Sequence, residues 1–340
     1  MHRVRTTPAL SPPAHPLQPI KTTKYDMKKD GSILYLILVF SLVNLIALLF
    51  SSQDNRHSRQ QAAAEQKSRS LPKPAVTTDV YLPSAMTFAG ETVPLHRLDV
   101  REALQKELIV NTYLHSHTIQ LLKNAPRMFA VIEPILKEAG IPDDFKYLAV
   151  IESNLNPSAV SPAKAVGLWQ FMEGTGREYG LEINKEVDER YHIQKSTEAA
   201  ARYLQKAHDR FGSWTTGAAS YNAGTTMLLT QMAIQNESDY YNLLLGEETE
   251  RYLFRILALK QIMTHPELYN FDIKNTHPIE KTTTVKVQGP IKDWAEFAQE
   301  HNISYKTLKR FNPWLRKSSL LNPKHKTYEI TIPVHPGDYQ

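Results

Sequence analysis

Residues 145–181 read FKYLAVIESNLNPSAVSPAKAVGLWQFMEGTGREYGL. The opening turns have helical spacing: Phe145, Leu148 and Ala149 share one face, and Glu152 is next on it. Tyr147, Val150 and Ile151 leave little of the last turns polar, and Asn154, Asn156 and Pro157 stop the helix. An acid therefore ends an apolar helix. Burial in such company disfavours the charged carboxylate and raises its pKa. A carboxylic acid still protonated near neutrality can give a proton to a leaving group. The helix alone leaves a second reading open, a structural hydrogen bond at the helix end.

Outward from this stretch the pattern stays helical. Pro142, Asp143 and Asp144 open the helix of Glu152, with proline early and acids in the first turn. Before it, REALQKELIVNTYLHSHTIQLLKNAP is expected to be helical up to a break at Pro126, and RMFAVIEPILKEAG to close at Gly140. After it, STEAAARYLQKAHDRFG predicts a helix capped by Ser196 or Thr197, striped by Ala200, Leu204, Ala207 and Phe211, and ended by Gly212. WTTGAASYNAG reads as a short helix ending at Gly224, and ETERYLFRILALKQIMTHP as an amphipathic one stopped before Pro266. Past Pro278 the character changes. TTTVKV and TYEITIPV are strand-like, with two short helices between them, which makes a small β-α-α-β domain.

The N-terminal part reads differently. Residues 1–31 are basic and Pro-rich, a disordered cytoplasmic tail. Residues 32–50, SILYLILVFSLVNLIALLF, carry no charge and would span roughly 30 Å as a helix. They predict a transmembrane anchor, with the preceding lysines keeping the N-terminus inside and exporting the rest. A cleaved signal segment is the alternative, and Met27 is a possible start. Residues 51–80, rich in Ser, Gln, Ala, Lys and Pro, read as a flexible linker.

Composition narrows the function classes. The formal charge of the 340 residues is +5, with the basic excess concentrated in the first 30, so no nucleic-acid partner is expected. Cysteine is absent, which excludes disulfides, a thiolate nucleophile and Cys-ligated zinc. His115 and His117 point apart on a helix, so no metal site is expected, and no cofactor either.

The segment 151–181 resembles the signature of soluble-lytic-transglycosylase-type catalytic domains: an E-S pair, a polar turn, S-P, then G-L-x-Q-x-M and a T-G-x-x-Y-G-L end. AASYNAG at 218–224 resembles the second family motif, and ETERYLFRILALK at 248–260 the third. The GLWQ variant, the helical stretch before it and the C-terminal addition are similar to the membrane-bound D-type branch of the family. The resemblance covers about residues 88–335. It implies a mainly α, lysozyme-like catalytic domain at 81–275, with its motif core at 140–265. The C-terminal unit at 279–335 resembles a LysM module, a peptidoglycan binder. Gly289-Pro290-Ile291-Lys292 replaces the usual G-D-T-L, so a packing domain that braces the catalytic one is the competing expectation.

The resemblance also implies roles. Glu152 is the single catalytic acid/base, and Ser153 serves local structure. Ser161 lines the cleft, Gln170 and Met172 contact glycan, and Tyr221 and Asn222 form the Y-N pair with the tyrosine near the acid. Tyr252 faces the cleft. Core packing remains an alternative for Trp169, Met172, Tyr221 and Tyr252. Glu173 stands where many relatives have proline. The implied activity cleaves the β-1,4 bond between N-acetylmuramic acid and N-acetylglucosamine without water, leaving 1,6-anhydromuramyl ends, in the periplasm or cell envelope. A goose-lysozyme-like hydrolase and a non-catalytic wall-binding protein are the rivals.

Overall fold

The structure is a computed structural model that describes residues 78–339, together with Leu42. The expected tail, the segment 32–50 and nearly all of the linker lie outside the described residues. Among the described residues, no helix is long and apolar enough to cross a membrane. Thr78–Gln340 form one compact unit, mainly helical, with a small strand-containing part at its C-terminal end.

The unit begins with a two-residue hairpin, β1 (Thr87–Phe88) and β2 (Glu91–Thr92). Its turn residues, Ala89 and Gly90, both have positive φ, the geometry that matches strand twist in a tight hairpin. The hairpin delivers Phe88, fully buried, onto Phe145 at 5.2 Å between ring centroids. Helix α1 (Leu98–Tyr113) leads into α2 (His115–Glu138) with a break at Leu114, not at Pro126 as the sequence suggested. Pro126 and Pro134 both lie inside α2. Each proline forfeits a backbone hydrogen bond and costs about 3 kcal/mol. Burial of Leu121, Leu122, Ala125, Ile132 and Leu136 along α2 offsets that, at about 1.5–3 kcal/mol for each large side chain.

Helix α3 (Lys146–Ser153) ends at Asn154, which has φ 55 and turns the chain. Leu148, Ala149 and Val150 have no exposed surface, so α3 runs through the centre of the helical body. After a loop and the short α4 (Glu173–Glu178) comes α5 (Ile193–Phe211). It starts ahead of the expected caps. The hydroxyls of Ser196 and Thr197 donate to the Ile193 carbonyl at 3.2 and 2.6 Å, bonding back inside the first turn instead of capping it. Gly212 closes α5 in the left-handed region, as expected. Then follow α6 (Trp214–Ala223), α7 (Thr225–Gln235) and α8 (Glu247–Thr264). Only Leu228 of α7 is buried, which is why no periodicity announced that helix. Helix α8 packs on both α1 and α3.

The C-terminal part has the expected β-α-α-β order: β3 (Thr282–Val287), α9 (Trp294–Glu300), α10 (Tyr305–Phe311) and β4 (Tyr328–Pro333). The strands pair antiparallel, from Thr282↔Pro333 to Val287↔Tyr328. Asp293 and Ser304 cap the two helices through their side chains. Its apolar cluster around Trp294, Leu308, Trp314 and Ile330 also takes in Val166, Val187 and Tyr191 from the helical part.

Candidate active site

Glu152 stands in the last turn of α3, partly buried, and its carboxylate accepts a 2.5 Å hydrogen bond from the Tyr252 hydroxyl of α8. Burial dominates its electrostatics and pushes its pKa up to about 7; the Tyr252 bond and the Arg255 charge pull the other way. The charge of Glu248 adds to the rise. The group is thus poised to hold or release a proton near neutrality. Ser153 is buried, and its hydroxyl donates to the Ala149 carbonyl at 3.1 Å, which binds the helix end to itself.

Tyr252 is 2% exposed, so its hydroxyl reaches Glu152 from inside the protein. Tyr221, on α6, is partly buried and donates to the Trp169 carbonyl at 2.7 Å. Burial raises its pKa first, and the Glu152 charge raises it further, which sets the two groups near one another. Its ring packs edge-on to Tyr203 at 4.9 Å. Asn222 accepts from the Thr249 hydroxyl at 3.0 Å, joining α6 to the first turn of α8.

The other site residues of the sequence lie on the loop between α3 and α4. Antiparallel bridges Val160↔Val166 and Val166↔Phe171 hold this loop together. The Ser161 hydroxyl accepts from the Ala165 N–H at 2.9 Å and closes a turn. Gln170 has φ 49, and its side-chain amide donates to the Gly167 carbonyl at 2.8 Å. Met172 is 47% exposed, a side chain presented to solvent. Trp169 is fully buried and donates to the Thr197 hydroxyl at 2.9 Å, so it is core.

Two features escaped the sequence reading. One is Arg255, a turn beyond Tyr252 on α8, whose charge acts on both Glu152 and Tyr252. Its position three residues after the motif tyrosine was the available signal. The other is a clamp below the loop. Arg190 pairs with Asp188 through two hydrogen bonds of 2.9 and 2.7 Å and donates to the Phe171 carbonyl at 3.3 Å. Nothing local in the sequence links residue 190 to residue 171. Among the described residues, no group of three or more His, Asp or Glu could hold a metal ion.

Residues 129–244 match the profile of the Transglycosylase SLT domain, and residues 283–336 that of the Soluble lytic transglycosylase C-terminal LysM-like domain. The chain is 31% identical over 226 residues to the Membrane-bound lytic murein transglycosylase D of Escherichia coli strain K12, covering 65% of this chain and 49% of that protein. It is 30% identical over 116 residues to a Putative tributyltin chloride resistance protein of Alteromonas sp. strain M-1, covering 34% of this chain and 56% of that protein. The chain therefore spans about half the length of the curated relatives it matches. The solved 70 kDa soluble lytic transglycosylase of Escherichia coli overlaps with a TM-score of 0.34 at 17% identity, over 53% of this chain and 31% of that one.

Proposed function

We propose that this chain, which carries a transglycosylase SLT domain and a LysM-like C-terminal domain, is a peptidoglycan lytic transglycosylase of the cell envelope, with Glu152 as its one acid and base. The observation that carries the reading is a carboxyl group at the end of a buried helix, bonded by the Tyr252 hydroxyl at 2.5 Å, with burial pushing its pKa up to about 7. Residues 32–50 serve as its membrane anchor.

In the first step, protonated Glu152 gives its proton to the oxygen linking C1 of N-acetylmuramic acid to C4 of N-acetylglucosamine. The C1–O bond breaks as the muramyl acetamido oxygen closes on C1. In the second step, carboxylate Glu152 takes the proton of the muramyl C6 hydroxyl. The C6 oxygen bonds to C1, the acetamido oxygen leaves, and Glu152 regains its proton. No water is consumed. A pKa near working pH suits a group that must act in both directions. The Tyr252 hydroxyl holds the carboxylate in one orientation and stabilises its charged form. Tyr221 and Ser161 keep the loop over the site in register. Gln170, Met172 and Asn222 contact the glycan.

A hydrolase of the same fold would cut the same bond. Hydrolytic glycosidases commonly use two carboxylates, and Glu248, the other carboxylate that acts on Glu152, is 75% exposed and paired with Arg255. Mass spectrometry of fragments released from purified sacculi tests the reading. Anhydro ends are expected, and their loss in Glu152→Gln with the fold intact. Reducing ends heavier by one water would make the protein a hydrolase, and near-normal release by Glu152→Gln would remove Glu152 from the chemistry.

A further inference from the structure

Beside Glu152 lies a cavity of about 420 Å³ with no part in the mechanism above. Ile151 of α3 and Asn154, which caps that helix, line it, one residue before Glu152 and two after it. Arg251, Arg255 and Glu248 of α8 also line it, together with Glu107 of α1 and His117 of α2. The two arginines differ in what holds them. Arg251 is committed to Glu107, a 2%-exposed carboxylate 2.7 Å away. The Arg255 guanidinium makes no hydrogen bond among the described residues, and its ion-pair contact is Glu248 at 3.9 Å. Glu248 is itself 75% exposed. A half-buried guanidinium with unused donors thus lines a concave space next to the acid. A carboxylate satisfies it, because the guanidinium offers parallel N–H groups.

We propose that this cavity is a subsite for a carboxylate borne by the glycan, with Arg255 as its anchor; it rests on the reading of Glu152 as the acid of glycan cleavage. The muramyl sugar supplies that chemistry in two forms. Its C3 lactyl ether ends in a free carboxylate on a peptide-free strand. On a substituted strand that carboxyl is an amide, and the peptide's own carboxylates take its place. The subsite therefore makes the enzyme responsive to the charge state of the substituent next to the cut bond. It also couples binding to catalysis, because pairing Arg255 with an anion offsets the charge that lowers the Glu152 pKa.

The test measures the affinity of the full chain carrying Glu152→Gln, which leaves strands uncut, for three glycan preparations. These are peptide-free strands with free lactyl carboxylates, the same strands with those groups amidated, and peptide-bearing strands. Amidation is expected to weaken binding about tenfold, as for one lost charge-assisted hydrogen bond. Adding Arg255→Gln abolishes the difference, and Arg255→Lys restores part of it. Equal affinity for the two peptide-free preparations, with Arg255→Gln weakening the peptide-bearing strands alone, assigns the subsite to the peptide's carboxylate. Arg255→Gln that changes no affinity, or that weakens the amidated strands as much as the others, overturns the proposal. Thermal unfolding of each variant confirms that it is folded. Product analysis on the chain with Glu152 intact reports separately on cleavage, so one reading can fail without the other.

Discussion

Glu152 holds its proton near neutrality because opposing influences leave burial ahead. Desolvation raises its pKa, while the Tyr252 hydroxyl and the Arg255 charge lower it. Removing the hydroxyl takes away one of the lowering influences. Tyr252→Phe is therefore expected to move the Glu152 pKa up. If the protonated acid starts the reaction, activity falls above that pKa, so the alkaline limb of the pH–rate profile shifts to higher pH. The lost orientation of the carboxylate is expected to reduce kcat/KM by about tenfold, the scale of one hydrogen bond to a charged group. Release of fragments from sacculi between pH 5 and 9 checks both. A limb that stays in place separates Tyr252 from the titration of the acid.

At the scale of elements, the loop between α3 and α4 is held by the segment around Arg190. Gly167 has φ 84, and a Cβ placed there would lie 1.9 Å from the Arg190 backbone carbonyl oxygen. Glycine is required on two counts, positive φ and the close approach of another backbone. Gly167→Ala is expected to cost about 3 kcal/mol, from left-handed strain together with the displaced Arg190 segment. Because Gly167 also accepts the Gln170 hydrogen bond and precedes Trp169, whose carbonyl accepts from Tyr221, turnover should fall more than stability. Thermal unfolding and turnover measured on one preparation compare the two. Unchanged turnover in a destabilised protein would show that the loop's position does not matter to the site.

At the scale of the molecule, the C-terminal part is built into the helical body. The Asp188 N–H donates to the Trp314 carbonyl at 2.9 Å, and the Arg316 N–H to the Glu186 carbonyl at 2.7 Å. Lys326 and Tyr328 both reach Glu182, and His192 stacks on Trp314 at 5.3 Å. This junction rests on residues 182–192, the same segment that carries the Arg190 clamp, so a contact path leads from the β-α-α-β unit to the loop whose Trp169 carbonyl accepts from Tyr221. His192 gives the junction a pH signature. Burial, and then the Lys195 charge, lower its pKa from 6.5 to about 4. Between those values the unfolded chain binds the proton and the folded one does not. The contribution of His192 to stability is thus full above pH 6.5 and is lost as pH falls toward 4. Glu152 works in the opposite sense, since its raised pKa favours the fold at low pH. The comparison that isolates His192 is therefore wild type against His192→Gln. Wild type is expected to lose about 1–2 kcal/mol more than the variant between pH 7 and pH 5, read by urea unfolding at each pH. Equal losses would mean that the imidazole titrates alike in both states.

The sequence by itself determined the helical class, the β-α-α-β order of the C-terminal part and the placing of an acid at the end of an apolar helix. Those are written in local signals: periodicity, caps, and the three motifs around residues 152, 221 and 252. Several outcomes were decided only by tertiary packing. Pro126 stays inside a helix because the buried face of α2 outweighs one missing hydrogen bond. Trp169 turns inward because Thr197 offers its indole a partner. Tyr252 meets Glu152 because α3 and α8, distant in the chain, pack side by side. The proton affinity of Glu152 belongs to that second group as well, for its cause is the surroundings, and surroundings are assembled by contacts that no single stretch of chain contains.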